Sequence, residues 1–186
     1  MKLTRKYVAS HEAGHAVLAV HQRVAFIDVY IGDDLEVVGE GGALHLVPAS
    51  FGMVWGCEDE VVRKMAGEAG ARLAAGRKPG NLTFTNILGP MHGDYLSALD
   101  DIKSMGNRIN GGCIYPSWLN EFIPEEPDSP YGNFRADDFC LHCYKKAYEI
   151  LAEQRKFHSR VTAALVKNGR LTEVEVMELK DKRRTK

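Results

Sequence analysis

The sequence predicts a mainly helical α+β fold, in which a buried N-terminal helix lies beside a small β-sheet and precedes a C-terminal helical bundle. Three observations predict it. Residues 7–20 are almost wholly apolar or small, two short stretches rich in β-branched residues follow them, and the C-terminal half shows helical periodicity. At 186 residues the chain is long enough to form a single domain over 1–186 with a substantial core.

Composition limits the function classes. The formal net charge is -1, with 45% hydrophobic and 26% charged residues, values that are ordinary for a globular protein. This charge gives no reason to expect nucleic acid or an anionic membrane as a partner. No apolar run reaches bilayer length, and no secretory signal precedes the first helix, so we expect a cytoplasmic protein without a membrane partner. The oligomeric state stays open, a homo-oligomer included.

The first helix, predicted over residues 2–23, carries the motif His11-Glu-Ala-Gly-His15. Residues four apart share a helix face, so His11 and His15 can direct their imidazoles at one point. Two imidazoles suit Zn²⁺, which then takes a third protein ligand and a water. Glu12 is placed to remove a proton from that water, the chemistry of the H-E-x-x-H motif of metalloproteases.

The surroundings of this motif favour a metal over chance placement. The helix is apolar on nearly all sides, so it should be buried, and each buried polar group without a partner would cost roughly 1–3 kcal/mol. A metal removes that cost, whereas the alternative is two histidines that are solvated or satisfied in a core. Gly14 is a poorer helix former than alanine by about 1 kcal/mol, so we expect it to allow a close backbone approach.

Two strands are predicted next, over residues 25–31 and 43–47, with turns at 32–34 and 40–42 and with Pro48 ending the second strand. They form a small sheet beside the first helix. This sheet either binds a substrate as an added strand, as in many zinc peptidases, or only covers the core. His45 is a candidate ligand, although a lone histidine on a strand is more often structural.

A second helix is predicted from Glu58 to about Gly76, and a third begins near Asp94. The buried stripe of the second helix is predicted to be Val62, Met65, Ala66, Ala69 and Leu73. Glu68 is a candidate third ligand because His₂Glu zinc sites exist. Asp94 and Asp101 flank the core face of the third helix, and either could reach a metal, although Asp94 also suits a helix N-cap.

The C-terminal part is predicted to contain a long irregular loop over 110–135, a long helix over 136–167 and a short last helix opened by the capping box Thr172-Glu-Val-Glu175. Residues 180–186 are predicted to be a solvated basic tail. The four cysteines are expected to be thiols. Cys140 and Cys143 are spaced like half a zinc site, but we expect them to pack in the core, because they lie on an apolar helical stripe.

Three stretches together resemble one family. These are His11-Glu-Ala-Gly-His-Ala16, Gly41-Gly-Ala-Leu-His-Leu-Val-Pro48 and Met65-Ala-Gly-Glu-Ala-Gly-Ala-Arg-Leu-Ala-Ala-Gly76. They are similar to the peptidase domain of the FtsH-type ATP-dependent zinc metalloproteases. The resemblance implies a zincin-like metal helix, endopeptidase activity and a Zn²⁺ held by His11, His15 and an aspartate with alanine four residues later. Asp94 and Ala98 match that spacing, and Glu12 takes the role of general base.

The sequence also departs from that family. Residues 89–93 differ from the family's usual run before the aspartate, so Asp101 and Glu68 stay open as alternatives to Asp94. The ATPase module and membrane helices of the family are not part of these residues. We therefore expect peptides or already unfolded segments as substrates, with an ATPase as a separate partner where folded ones are used. The alternative is a non-proteolytic, metalloprotease-like binding or regulatory module, against which the intact Glu12 weighs.

Overall fold

The computed structural model describes residues 4–32, 42–47, 57–79, 93–98 and 136–181. The helices are α1 (Arg5–Gln22), α2 (Cys57–Lys64), α3 (Ala66–Ala74), α4 (Ala136–Glu153), α5 (Arg155–Asn168) and α6 (Glu173–Asp181). The strands are β1 (Phe26–Ile31), β2 (Gly42–Leu46) and β3 (Arg170–Thr172), and residues 93–98 are also helical. The predicted class, mainly helical α+β, is confirmed.

Helix α1 is the central element of the fold. Its N-terminus is capped by Thr4, whose hydroxyl accepts a hydrogen bond of 3.1 Å from the Tyr7 N–H, and it ends at Arg23 in the left-handed conformation (φ 58°). Residues 8–20 are all buried, as predicted, because α3, α5 and β1 pack around them. Polar side chains on this stretch must therefore find their partners inside the protein.

Glycines allow α1 and α3 to approach closely. A Cβ on Gly14 would overlap the carbonyl oxygen of Ala66, and a Cβ on Gly70 would lie 2.7 Å from the carbonyl oxygen of Ser10. The close backbone approach expected at Gly14 is thus confirmed. The Ser10 carbonyl also accepts a hydrogen bond of 2.9 Å from Nε2 of the buried His158 on α5. Burial lowers the pKa of His158, so a neutral imidazole joins α5 to α1.

The three strands form one antiparallel sheet in the order β2-β1-β3. Val29 is the central residue, paired with Leu44 on one side and Leu171 on the other. The two predicted strands are confirmed, although Gly42 begins β2 rather than belonging to a turn. Strand β3 was not predicted because three residues are too few for a periodic pattern, and it directly precedes the capping box. That box is confirmed, since the Thr172 N–H donates to Oε2 of Glu175 at 2.7 Å.

Two helices predicted to be continuous are each interrupted. The second is divided at Met65 (φ -76°, ψ -7°) into α2 and α3, and the long C-terminal helix is divided at Gln154 (φ -98°, ψ 21°) into α4 and α5. Both residues have a ψ that departs from the helical value, which turns the chain and starts a new helix. The predicted buried stripe is nevertheless confirmed, because each of its five residues lies in the core.

Several expectations lie outside the described residues. These are the loop 110–135, the turns at 32–34 and 40–42 except for Gly32 and Gly42, Asp101, Cys113 and the tail residues 182–186. Cys140 and Cys143 are fully buried thiols of α4 in the core, as predicted. In the part of the chain that the structure describes, no helix combines the length and apolarity that crossing a membrane requires.

Replacing Gly14 with alanine should destabilise the fold, because the new Cβ overlaps the Ala66 backbone, which cannot swing aside. We expect the free energy of unfolding to fall by about 1–3 kcal/mol, as for overpacked cores. Urea denaturation measures it, with Gly93→Ala as control, since no atom lies within 4 Å of a Cβ there. A Gly14→Ala protein as stable as Gly93→Ala would contradict the close packing of α1 on α3.

Candidate metal centre

The structure brings together His11 and His15 of α1 and Asp94 of the helical segment 93–98. Nε2 of His11 lies 3.2 Å from Nε2 of His15, while Oδ2 of Asp94 lies 2.9 Å from the first and 3.4 Å from the second. In a tetrahedral zinc site, ligand atoms about 2.0–2.1 Å from the metal lie about 3.3 Å from one another. The three separations are close to that value, so the three atoms surround a space of the size that one such ion needs.

The orientation of His15 is fixed by a backbone carbonyl. Its Nδ1–H donates a hydrogen bond of 2.9 Å to the carbonyl oxygen of Arg63, near the C-terminal end of α2. The lone pair of Nε2 is therefore directed at His11 and Asp94, which is how a metal-binding imidazole is usually held. Nδ1 of His11 is buried and has no hydrogen-bond partner among the described residues.

The electrostatics of the site couple the ligands to one another. Burial by itself would lower the pKa of His15, but the negative charge of the adjacent Asp94 carboxylate, with help from Glu12, raises it to about 9. Burial likewise opposes the charged form of Asp94, yet the two imidazoles hold its pKa well below the usual range. Without a metal, the group is thus an ion pair in which a proton occupies His15.

Two further observations test whether the site fits a cation. Oδ2 of Asp94 is buried and lies at ion-pair distance from both imidazoles, yet it accepts no hydrogen bond of normal geometry. A Cβ on Gly67, in the first turn of α3, would overlap Nε2 of His11 and lie 2.5 Å from Nε2 of His15. The absence of a side chain keeps that space open. With two imidazole nitrogens and one carboxylate oxygen, the donor set fits Zn²⁺.

Glu12 lies beside this group and against β2. It is 5% exposed, and burial raises its pKa, an effect that the histidines oppose and Asp94 reinforces. A Cβ on Gly42 would lie 2.7 Å from Cγ and 2.9 Å from Oε1 of Glu12, so only a glycine lets the strand come this close. The carboxylate borders a cleft of about 290 Å³. The cleft is lined by Glu12, His15, Gly42, Ala43, Leu44, Leu46, Glu60, Arg63, Lys64, Asp94 and Ser97.

The other candidate ligands lie elsewhere. Glu68 accepts hydrogen bonds from the Tyr7 hydroxyl at 2.6 Å and from Nε of Arg72 at 2.9 Å, so its two oxygens are already occupied. Nδ1 of His45 is paired with Oδ1 of Asp28 at 2.9 Å, on the other face of the sheet from Glu12. Within the described ranges, the cluster with metal-site spacing consists of His11, His15 and Asp94.

Sequence reasoning missed three contributors to this site, namely Gly42, Gly67 and the carbonyl of Arg63. Gly42 was assigned to a turn, and Gly67 carried no local signal. Their roles arise from contacts between elements that are distant in the chain, which periodicity does not report. No protein-family model matches the chain, and a search of curated proteins finds no match either.

Replacing Gly67 with alanine should abolish metal binding while leaving the fold intact. The new Cβ would displace the imidazole of His11 and crowd that of His15, so that the two Nε2 atoms no longer converge on one point. We expect zinc affinity, measured by competition with a chromophoric chelator, to fall more than about 100-fold. Gly93→Ala is the control, because it adds the same Cβ directly before Asp94, at a position where no atom lies within 4 Å of it. Unchanged zinc affinity in Gly67→Ala would contradict the assigned site.

Zinc binding should release protons at neutral pH. The pKa of His15 is raised to about 9 in the metal-free protein, so below that pH the metal must displace its proton. Isothermal titration calorimetry at pH 7 in two buffers of different ionisation enthalpy should report the release of about one proton per zinc. Equal apparent enthalpies in both buffers at pH 7 would exclude His15 as a ligand.

Proposed function

We propose that this protein is a zinc metallopeptidase that hydrolyses peptide bonds, with a zincin-like metal helix as in the FtsH-type peptidase domain that its sequence resembles. The observation that carries the proposal is the convergence of His11, His15 and Asp94 next to Glu12, beside a cleft that Glu12, His15 and Asp94 line together with residues of β2. A buried cluster of this composition and spacing is poorly explained by structural pairing alone, because Asp94 Oδ2 has no normal hydrogen bond there.

The roles of the residues follow from their chemistry. Zn²⁺ held by His11, His15 and Asp94 would supply Lewis acidity, lowering the pKa of water to about 7 and polarising a carbonyl group. Glu12 is the general base: its carboxylate borders the same cleft, and the rise in its pKa caused by burial strengthens it as a proton acceptor. Contact with Gly42 holds the Glu12 side chain in place. His15 is oriented by the Arg63 carbonyl.

The neighbouring sheet edge favours an extended peptide as the substrate. Strand β2 pairs with β1 on one side, and none of the residues in the described ranges pairs with its other edge. That edge borders the cleft, so a peptide could add to the sheet as a further strand and present its backbone to the metal centre. Substrates would be peptides or unfolded segments, and a separate ATPase partner would be needed to deliver folded proteins.

A catalytic assay distinguishes the peptidase from a binding or regulatory module built on the same scaffold. The zinc-loaded protein should cleave an unfolded protein such as casein, and a chelator should stop the cleavage. Glu12→Gln should retain zinc, because Glu12 is not a ligand, but lower the turnover by about 100-fold or more. Asp94→Ala should instead lose zinc. A Glu12→Gln protein of full activity would refute the assigned base, and a zinc-loaded wild-type protein that cleaves nothing would favour the binding module.

A further inference from the structure

We propose that β2 selects the substrate, through a preference for apolar side chains at alternate positions on the N-terminal side of the cleaved bond. Leu44 and Leu46 form the two subsites. The proposal rests on the peptidase function proposed above and adds a substrate class to it, namely extended peptides with apolar residues at a defined spacing before the cut.

Side chains alternate along β2, and this alternation places both leucines on the face of the strand that packs against Glu12. Gly42 lies against the Glu12 side chain, and Leu44 and Leu46 follow at intervals of two, so all three share that face. The intervening His45 faces the other way, because its imidazole contacts Asp28 and lies 5.1 Å from the ring of Tyr30. Leu44 and Leu46 also line the same cleft as Glu12, which makes them continuous with the metal centre.

The direction of the peptide follows from the sheet. Both existing strand pairs are antiparallel, and a peptide that continues this pattern runs from Leu46 towards Gly42. Its residue opposite Gly42 lies beside Glu12. The residues opposite Leu44 and Leu46 are then two and four positions nearer the peptide's N-terminus, and their side chains lie on the face of the two leucines.

The subsites are apolar on the side of the strand. Leu46 is 38% exposed and Leu44 is half-buried against the core, so each presents hydrocarbon that a substrate side chain would remove from water. The opposite wall is formed by α2, where Nη2 of Arg63 lies 3.4 Å from Oε1 of Glu60. The wall therefore carries paired charges of opposite sign, and the apolar strand decides which side chain is preferred.

The test uses pairs of fluorogenic peptides that differ only in having leucine or asparagine two and four residues before the residue expected opposite Gly42. We expect the leucine peptide to have a kcat/KM about ten-fold higher, a typical discrimination for a partly open apolar subsite. Leu46→Asn should reduce this ratio by several-fold, and Leu44→Asn should act likewise at the nearer position. Val47→Asn is the matched control, since Val47 is similarly exposed (44%) but follows Leu46 on the alternate face.

Mass spectrometry of the products locates the cleaved bond in each peptide. Equal cleavage of the two peptides, a preference on the C-terminal side of the bond, or a preference that survives both leucine substitutions would overturn the proposed subsites while leaving the peptidase intact. If the zinc-loaded protein cleaves neither peptide nor casein, the proposed function fails, and the subsites fail with it. Because Leu46 is exposed, the Leu46→Asn substitution tests the subsite without disturbing the packing of the core.

Discussion

The burial of three polar side chains on α1 determines how the other elements pack around this helix. His11, Glu12 and His15 lie on a helix that has no solvent-facing side between residues 8 and 20, so partners for their polar atoms must come from other elements. The Arg63 carbonyl at the end of α2 and Asp94 from the segment 93–98 contact the two imidazoles, while the β2 strand packs against the Glu12 side chain. The elements that pack around α1 are therefore also the ones that contact its buried polar side chains.

Glycines determine how closely these partners can approach. Gly14 and Gly70 let the backbones of α1 and α3 come into contact, and this contact brings Gly67 next to the Nε2 atoms of His11 and His15. Gly42 does the same for the strand and the Glu12 carboxylate. The two arrangements have different consequences: one leaves a space of the size of an ion between the imidazoles of His11 and His15, and the other brings β2 against the Glu12 carboxylate. Close packing and chemistry therefore depend on the same small residues.

The elements with strong local patterns were predictable from the sequence. The apolar run of α1, the β-branched residues of β1 and the capping box at Thr172 each carry their own signal, and each is present. The breaks at Met65 and Gln154 have no signal in the sequence. Met65 continues the apolar periodicity of its helix, and Gln154 is compatible with a continuous helix. In the site, the spacing of His11 and His15 placed them on one face. That spacing alone does not show whether Asp94 or Glu68 lies next to the two imidazoles. The answer depends on hydrogen bonds from Tyr7 and Arg72, which occupy the oxygens of Glu68.

X-ray absorption at the zinc K-edge, on protein loaded with one equivalent of zinc, identifies the atoms that bind the metal. A centre built from His11, His15 and Asp94 predicts a first shell of nitrogen and oxygen atoms at about 2.0–2.1 Å, with outer-shell scattering from two imidazole rings. A sulfur shell at about 2.3 Å would show that cysteines such as Cys140 and Cys143 bind the metal instead. That result, or a folded protein that takes up no zinc, would contradict the metal centre.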